Sequence, residues 1–125
     1  PAMRFLTARK RAEGLGAAHS GTEHHWYMTV SAVGLALIVP MFLFVLGRTI
    51  GGTHDEVSAV FAHPAMAILT LLVLYVGLQH FRRGAQTLIE DYSRGMTRKI
   101  LIIGVTVLSY GLMATGMFAV VKLAL

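Results

Sequence analysis

Three long apolar stretches separated by short polar segments dominate the sequence, at positions 28–46, 64–78 and 100–121. Crossing the hydrocarbon of a bilayer takes about 20 residues of α-helix. The first and third stretches meet that length, whereas the second needs the more polar residues that follow it to complete a span. The pattern therefore predicts three transmembrane helices, over about 21–48, 64–91 and 97–123.

Local signals mark where these helices begin and bend. Ser20 and Glu23 have the spacing of a capping box, in which the Ser20 side chain bonds the amide of Glu23 and Glu23 reaches back. Pro64 suits the first turn of the second helix, where an amide would have no partner in any case. Pro40 lies inside the first helix and is expected to bend it. The segment 51–63 between them is expected to be a loop.

Small residues on the third predicted helix indicate close packing between helices. Gly104 and Gly111 lie seven residues apart and so share one stripe, with Ser109, Thr115 and Gly116 nearby. Small residues let membrane helices approach closely. Because three helices alone leave much surface in lipid, we expect further membrane helices to complete the bundle.

Composition and charge agree with an integral membrane protein. Hydrophobic residues make up 55% of the chain and charged ones 14%. The net charge of +5 does not indicate nucleic-acid binding, because the basic residues flank the apolar stretches. Nine of the eleven Lys and Arg residues precede the first span or lie around the second and third, and only Arg48 and Lys122 lie opposite. The positive-inside rule therefore places the N-terminus in the cytoplasm or the equivalent compartment. A bacterial inner membrane is the expected location, with a mitochondrial inner membrane as the alternative.

The basic segment 1–19 is interpreted as a retained cytoplasmic arm that touches a soluble partner. A signal peptide needs its apolar core directly after the basic residues, whereas polar residues fill positions 17–25 here. A short mitochondrial presequence is the competing interpretation. The remainder, 20–125, is predicted to be one all-α domain of three transmembrane helices within a larger hetero-oligomeric helix bundle.

Candidate chemistry concentrates at the end of the second apolar stretch. His80 follows it, and Gly77, His80, Gly84, Thr87 and Asp91 share one stripe of the predicted helix. A planar macrocycle ligated by an imidazole needs a flat helix surface, which glycines three residues before and four after supply, so the stripe favours haem b. In the alternative, His80 only bonds a neighbouring helix and the glycines only permit close packing. The chain contains no cysteine, which excludes thiolate metal sites, iron–sulfur clusters and disulfides within it.

Asp91 and Tyr92 lie about 16 to 18 Å beyond His80 along a straight helix, at the level of the lipid headgroups. A tyrosine there usually belongs to the aromatic belt of the membrane. The adjacent carboxylate adds a second interpretation, in which Asp91 accepts a bond from Tyr92 or an arginine while Tyr92 donates to a quinone carbonyl. No other histidine lies at the depth of His80, so a six-coordinate haem would take its second ligand from another subunit.

The run His80-x-x-x-Gly84 followed by Asp91-Tyr92, with a basic arm and three spans, resembles the smaller hydrophobic membrane-anchor subunit of succinate dehydrogenase, respiratory complex II. The entry to the first helix resembles the alphaproteobacterial and mitochondrial-like branch of that family. The resemblance implies that His80 is one axial ligand of a haem b shared with a larger anchor, the cytochrome b subunit. It also implies that Tyr92 bonds ubiquinone and that Asp91 supports it.

The same resemblance implies an iron–sulfur subunit and a flavoprotein subunit as partners. Succinate would be oxidised there, since this chain has no dinucleotide fingerprint and no cluster ligands. Arg83 lies near the stripe of His80 and is a candidate partner of a haem propionate, with anionic lipid as the equal alternative. Gln86 and Ser93 are weaker candidates for the quinone pocket, and Arg82 has no assigned role.

Two other functions stay open at this point. One is a structural membrane anchor without a cofactor, and the other is a quinone-reactive anchor of a different dehydrogenase. A channel or transporter is disfavoured, because His80 is the one ionisable residue in the middle of a span and no pair of broken helices is visible.

Overall fold

The computed structural model describes residues 5–125. Its helices are, in chain order, α1 (Ala8–Glu13), α2 (Gly21–Thr49), α3 (His54–Ala62), α4 (Pro64–Tyr92) and α5 (Gly95–Ala124). The helices α2, α4 and α5 are each long and apolar enough to cross a membrane. The prediction of an all-α protein with three transmembrane helices is confirmed, with bounds that differ by at most two residues.

The segment predicted as a loop contains the short helix α3. Thr53 caps this helix, since its side chain accepts from the Glu56 amide at 3.3 Å while the Glu56 carboxylate accepts from the Thr53 amide at 2.8 Å. The prediction that 51–63 is a loop is therefore wrong for residues 54–62, and the spacing of Thr53 and Glu56 was the signal for a helix. The prediction of a capping box at Ser20 is also wrong. Ser20 has helical backbone angles, and its side chain makes no capping hydrogen bond.

The other helix starts follow local chemistry. Pro64 opens α4, as predicted, and the His63 ring accepts from the Ala65 amide at 3.2 Å. Two residues separate α4 from α5, and Gly95 has φ +63°, a left-handed angle that glycine adopts without strain. This tight turn makes α4 and α5 an antiparallel hairpin. The helix α2 continues through Pro40 to Thr49.

The helix α4 is the centre of the domain. It packs against α2 on one side and α5 on the other, whereas α2 and α5 do not contact each other within residues 5–125. The short helix α3 contacts all three long helices. Large apolar side chains are exposed along the whole length of α2, α4 and α5. The chain thus forms an open layer of helices, as expected of one part of a larger membrane assembly.

Small and polar residues carry much of the packing inside this layer. The buried residues between positions 5 and 125 comprise four apolar ones, Phe61, Met66, Met113 and Val120, and four polar ones, Ser31, Thr70, Gln79 and Ser109. Close approach of α5 to α4 occurs at Gly116, where an added Cβ would lie 3.0 Å from the Leu74 side chain. The predicted Gly104 and Gly111 stripe does not face this contact, since a Cβ at either position would meet nothing within 4 Å.

Candidate functional site

His80 lies half-buried on α4, against α2. Its Nδ1 is 2.7 Å from the Oγ of Ser31, a residue of α2 that is only 7% exposed. The Ser31 hydroxyl also lies 3.2 Å from the Met28 carbonyl oxygen of its own helix. The other ring nitrogen, Nε2, has no hydrogen-bond partner within residues 5–125. Nε2 is not fully buried either. Within residues 5–125, Ser109 Oγ is the one fully buried side-chain nitrogen or oxygen without a hydrogen-bond partner, so the unpartnered Nε2 is accessible from outside this chain.

The predicted stripe around His80 faces α2. A Cβ added at Gly77 would lie 3.8 Å from the Leu35 side chain, and one at Gly84 would lie 3.6 Å from Met28. Farther along, the Thr87 hydroxyl is 3.5 Å from Nε2 of His24. The two glycines therefore face α2, as the packing interpretation expects, and an added Cβ at either position would make an ordinary van der Waals contact with that helix. His80 is the position on this stripe where α4 presents an imidazole to the neighbouring helix.

The two arginines that follow His80 turn to opposite neighbours. Arg82 donates through Nε and Nη2 to the Oε1 atom of buried Gln79, at 3.1 and 2.9 Å. The Arg82 guanidinium also lies 5.5 Å from the ring centre of Tyr110 on α5. Arg83 lies over the ring of Tyr27 on α2, at 3.9 Å. Consecutive helical residues point about 100° apart, which explains why one cation joins α5 and the other joins α2.

A polar cavity of about 450 Å³ lies between the start of α2 and the second half of α4. On α4, its lining begins at Arg82, two residues after His80. The cavity is lined by His24, Arg82, Arg83, Gln86, Thr87 and Glu90. The Glu90 carboxylate accepts from the Gln86 amide at 3.0 Å. Two guanidinium groups in a part-enclosed space suit an anionic ligand group, because they donate charge-assisted and bidentate hydrogen bonds.

Asp91 and Tyr92 lie in the last turn of α4, and both are exposed. Tyr92 has 84% of its surface accessible. Neither side chain makes a hydrogen bond within residues 5–125, so the expected bond from Tyr92 or an arginine to Asp91 does not form in this part of the chain. Ser93 is the C-cap of α4, and its hydroxyl donates to the Ile89 carbonyl. The pair thus presents a phenol and a carboxylate on the surface at the end of the helix.

Arg98 fixes this helix end from α5. Its Nε donates to the Ser93 carbonyl at 2.8 Å and its Nη2 to the Glu90 carbonyl at 2.6 Å. The last carbonyls of a helix lack partners within the helix, and a basic side chain satisfies them. From the sequence, Arg98 is only one of the nine basic residues around the spans.

Ser31 is a candidate functional residue that was not predicted from the sequence. A hydroxyl within the apolar stretch 28–46 was a signal for a contact between helices. Which residue it would meet depends on the rotation of α2 against α4. No cluster of three or more metal-binding side chains is found between residues 5 and 125. The site therefore offers one imidazole, two arginines and, farther along, a tyrosine beside an aspartate.

Comparison with known proteins places the chain in a family. The family described as succinate dehydrogenase/fumarate reductase transmembrane subunit matches residues 3–119. The chain is 43% identical to the succinate dehydrogenase hydrophobic membrane anchor subunit of Paracoccus denitrificans over 123 residues. The similarity covers 98% of this chain and 95% of that relative. No solved structure matches the chain.

Proposed function

Because the chain belongs to the family of succinate dehydrogenase/fumarate reductase transmembrane subunits, we propose that it supplies one axial ligand of a haem b and part of a ubiquinone-reduction site. Its role as a succinate dehydrogenase membrane anchor agrees with three membrane-crossing helices and an open, apolar layer. In this proposal succinate is oxidised in other subunits, and this chain contributes to the path of electrons towards quinone.

His80 is the proposed axial ligand of the haem iron. The observation that carries this proposal is that one ring nitrogen of His80 is bonded to Ser31 while the other has no partner within residues 5–125. That donor set fits a haem to which each anchor chain gives a single imidazole. When bound, haem b accepts and returns one electron at a time. The second axial ligand would come from the larger anchor, the cytochrome b subunit.

Arg83 is the proposed partner of a haem propionate. It lies on the wall of the polar cavity that begins two residues beyond His80, and the Tyr27 ring supports its guanidinium at 3.9 Å. A propionate carboxylate would accept a forked pair of bonds there. Arg82 is less available, because Gln79 already accepts two of its bonds. An anionic lipid headgroup is the competing ligand for Arg83.

Tyr92 and Asp91 are the proposed contacts with ubiquinone. The exposed Tyr92 hydroxyl would donate to a carbonyl oxygen of the quinone head, and the Asp91 carboxylate would support the phenol or pass a proton. Their exposure in this chain fits a pocket whose other walls belong to partner subunits. Gln86 and Ser93 remain weaker candidates, because each already donates within the chain, to Glu90 and Ile89.

The partners implied by this proposal are the cytochrome b subunit, an iron–sulfur subunit and a flavoprotein subunit. The uncovered apolar surface of α2, α4 and α5 suits the first of these, together with lipid. The excess of basic residues on one side supports a cytoplasmic N-terminus, and the similarity to the Paracoccus denitrificans anchor supports a bacterial inner membrane. The soluble subunits would then dock on the side where α4 ends.

A structural anchor without a cofactor is the second candidate function. The bond between His80 and Ser31 favours it, since that bond alone gives the imidazole a purely structural task. The test is to purify the complex and record its dithionite-reduced spectrum. We expect b-type bands in the native complex and their loss or displacement in His80→Leu. His54→Leu, an exposed histidine on the opposite side of the membrane, should keep them. Native bands in His80→Leu would favour the structural role.

A further inference from the structure

We infer that Ser31 is a positioning residue for His80, which fixes the tautomer and the orientation of its ring through a relay that ends on the Met28 carbonyl. The inference rests on the proposed ligation of haem by His80. It assigns a role to a residue of α2 that touches the imidazole across the interface between two membrane helices.

Ligation of the haem iron through Nε2 would determine which group donates between Ser31 and His80. A serine hydroxyl has one proton and two acceptor sites. The Ser31 Oγ lies 3.2 Å from the Met28 carbonyl, which can only accept, and 2.7 Å from His80 Nδ1. When Ser31 gives its proton to Met28, Nδ1 of His80 must carry a hydrogen and donate it to Ser31. Nε2 then holds the free lone pair that an axial ligand needs.

Ser31 differs in this respect from neighbouring hydroxyl groups of α2. Thr29 donates to the His25 carbonyl at 2.9 Å, and Thr49 donates to the Val45 carbonyl at 2.7 Å, so both bonds stay within the helix. Ser31 instead reaches across to a residue 49 positions away in sequence. It is buried, whereas Thr29 is exposed. Burial of Ser31 strengthens the bond, because little water reaches its hydroxyl to compete with His80.

A hydrogen-bond acceptor on Nδ1 also changes the electronic character of the ligand. Outer partners of metal-bound histidines orient the ring and raise its basicity. A more basic imidazole stabilises the ferric iron more than the ferrous iron, and so lowers the midpoint potential. The midpoint potential of the haem would therefore be lower with Ser31 than without a hydrogen-bond acceptor on His80 Nδ1.

The experiment uses the whole complex with Ser31→Ala, Ser31→Cys and Ser31→Thr, and with Thr29→Ala as the matched control. The readouts are the haem midpoint potential and the g values of the oxidised haem in electron paramagnetic resonance. We expect Ser31→Ala to raise the potential and shift the g values. Cysteine, similar in size but a weaker acceptor, should shift both in the same direction by less. Threonine, which keeps the hydroxyl, should restore them, and Thr29→Ala should match the native complex.

Native potential and g values in the alanine and cysteine variants would overturn the inference. If the alanine variant fails to assemble, the cysteine variant decides, because it keeps the packing and weakens only the bond. The proposed function fails differently: b-type bands would then be absent from the native complex or unchanged in His80→Leu. Bands that depend on His80, together with a midpoint potential and g values that do not depend on Ser31, would remove this inference alone.

Discussion

The Arg98 guanidinium on α5 donates to the backbone carbonyl of Glu90 on α4 at 2.6 Å. Glu90 directly precedes Asp91 and Tyr92, so a residue of the next helix holds the turn that carries the proposed quinone contacts. A second bond, to the Ser93 carbonyl at 2.8 Å, closes the same helix end. The position of Tyr92 therefore depends on the packing of the α4 and α5 hairpin as well as on α4 itself.

Replacement of Arg98 by alanine should loosen the end of α4. Each lost bond to a charged donor is worth about 1.5 to 3 kcal/mol, although partial exposure reduces that value. We expect a raised KM for ubiquinone with little change in reduction of an artificial dye by the soluble subunits. The matched control is Lys99→Ala, which removes an adjacent exposed cation that makes no hydrogen bond within residues 5–125. Equal effects of both variants would mean that net charge, and not the helix end, matters.

Replacement of Tyr92 by phenylalanine should weaken the reaction with quinone. Loss of one neutral hydrogen bond costs about 0.5 to 1.5 kcal/mol, which corresponds to about a 2- to 13-fold fall in kcat/KM for ubiquinone. Tyr75→Phe is the control, because Tyr75 lies on the same helix about 25 Å before Tyr92. Steady-state quinone reduction by the purified complex measures the effect. Unchanged kcat/KM in Tyr92→Phe would assign this phenol to the aromatic belt.

The lengths of the apolar stretches were enough to predict the three long helices, because a membrane-crossing helix has to satisfy its own backbone and to cover a fixed thickness. The short helix α3 was missed because nine residues carry little periodic signal, although Thr53 and Glu56 have the capping spacing. Ser20 and Glu23 have the same spacing without the bond. Spacing alone therefore does not predict a cap, since the N-cap residue must also adopt an extended backbone.

The stripe of His80 could be predicted from helical geometry, but not the surface that it faces. The contact of His80 with Ser31 depends on how α2 is rotated against α4, and both helices have apolar residues on every side. The face of α5 that packs against α4 could not be predicted either, since Gly116 faces α4 while Gly104 and Gly111 do not. In a membrane, helix faces cannot be ranked by hydrophobicity, because lipid is as apolar as a buried side chain.

Replacement of Gly116 by alanine should destabilise the hairpin of α4 and α5. The new Cβ would lie 3.0 and 3.1 Å from the two methyl carbons of Leu74, which is too close without a shift. Overpacking of this kind costs about 1 to 3 kcal/mol, from which the roughly 0.5 to 1 kcal/mol that alanine gains over glycine inside a helix is subtracted. Thermal denaturation of the complex in detergent measures it. The double variant Gly116→Ala with Leu74→Ala should recover part of the loss relative to the sum of the single effects. Strict additivity would show that Leu74 is not the obstacle.

Replacement of Gln79 by alanine should destabilise the domain through Arg82. Gln79 is 7% exposed, and its Oε1 accepts both bonds that hold the Arg82 guanidinium beside α5. The side-chain amide of Gln79 also lies 3.4 Å from the Tyr110 hydroxyl. Gln79 therefore connects the Arg82 guanidinium of α4 with Tyr110 of α5. Without Gln79, the guanidinium at this depth would lose its acceptor, at a cost of about 1 to 3 kcal/mol.

Two further variants separate this effect from loss of packing. Gln79→Glu keeps an acceptor for Arg82 and should retain most of the thermal stability of the complex, since a charged acceptor strengthens the bond. Gln86→Ala removes an amide of the same helix whose partner, Glu90, is exposed, and should change the free energy of unfolding by less than about 0.5 kcal/mol. If Gln79→Ala were as stable as Gln86→Ala, Arg82 would find its acceptor outside this chain. In that case the cation would belong to the interface with a partner subunit or with lipid.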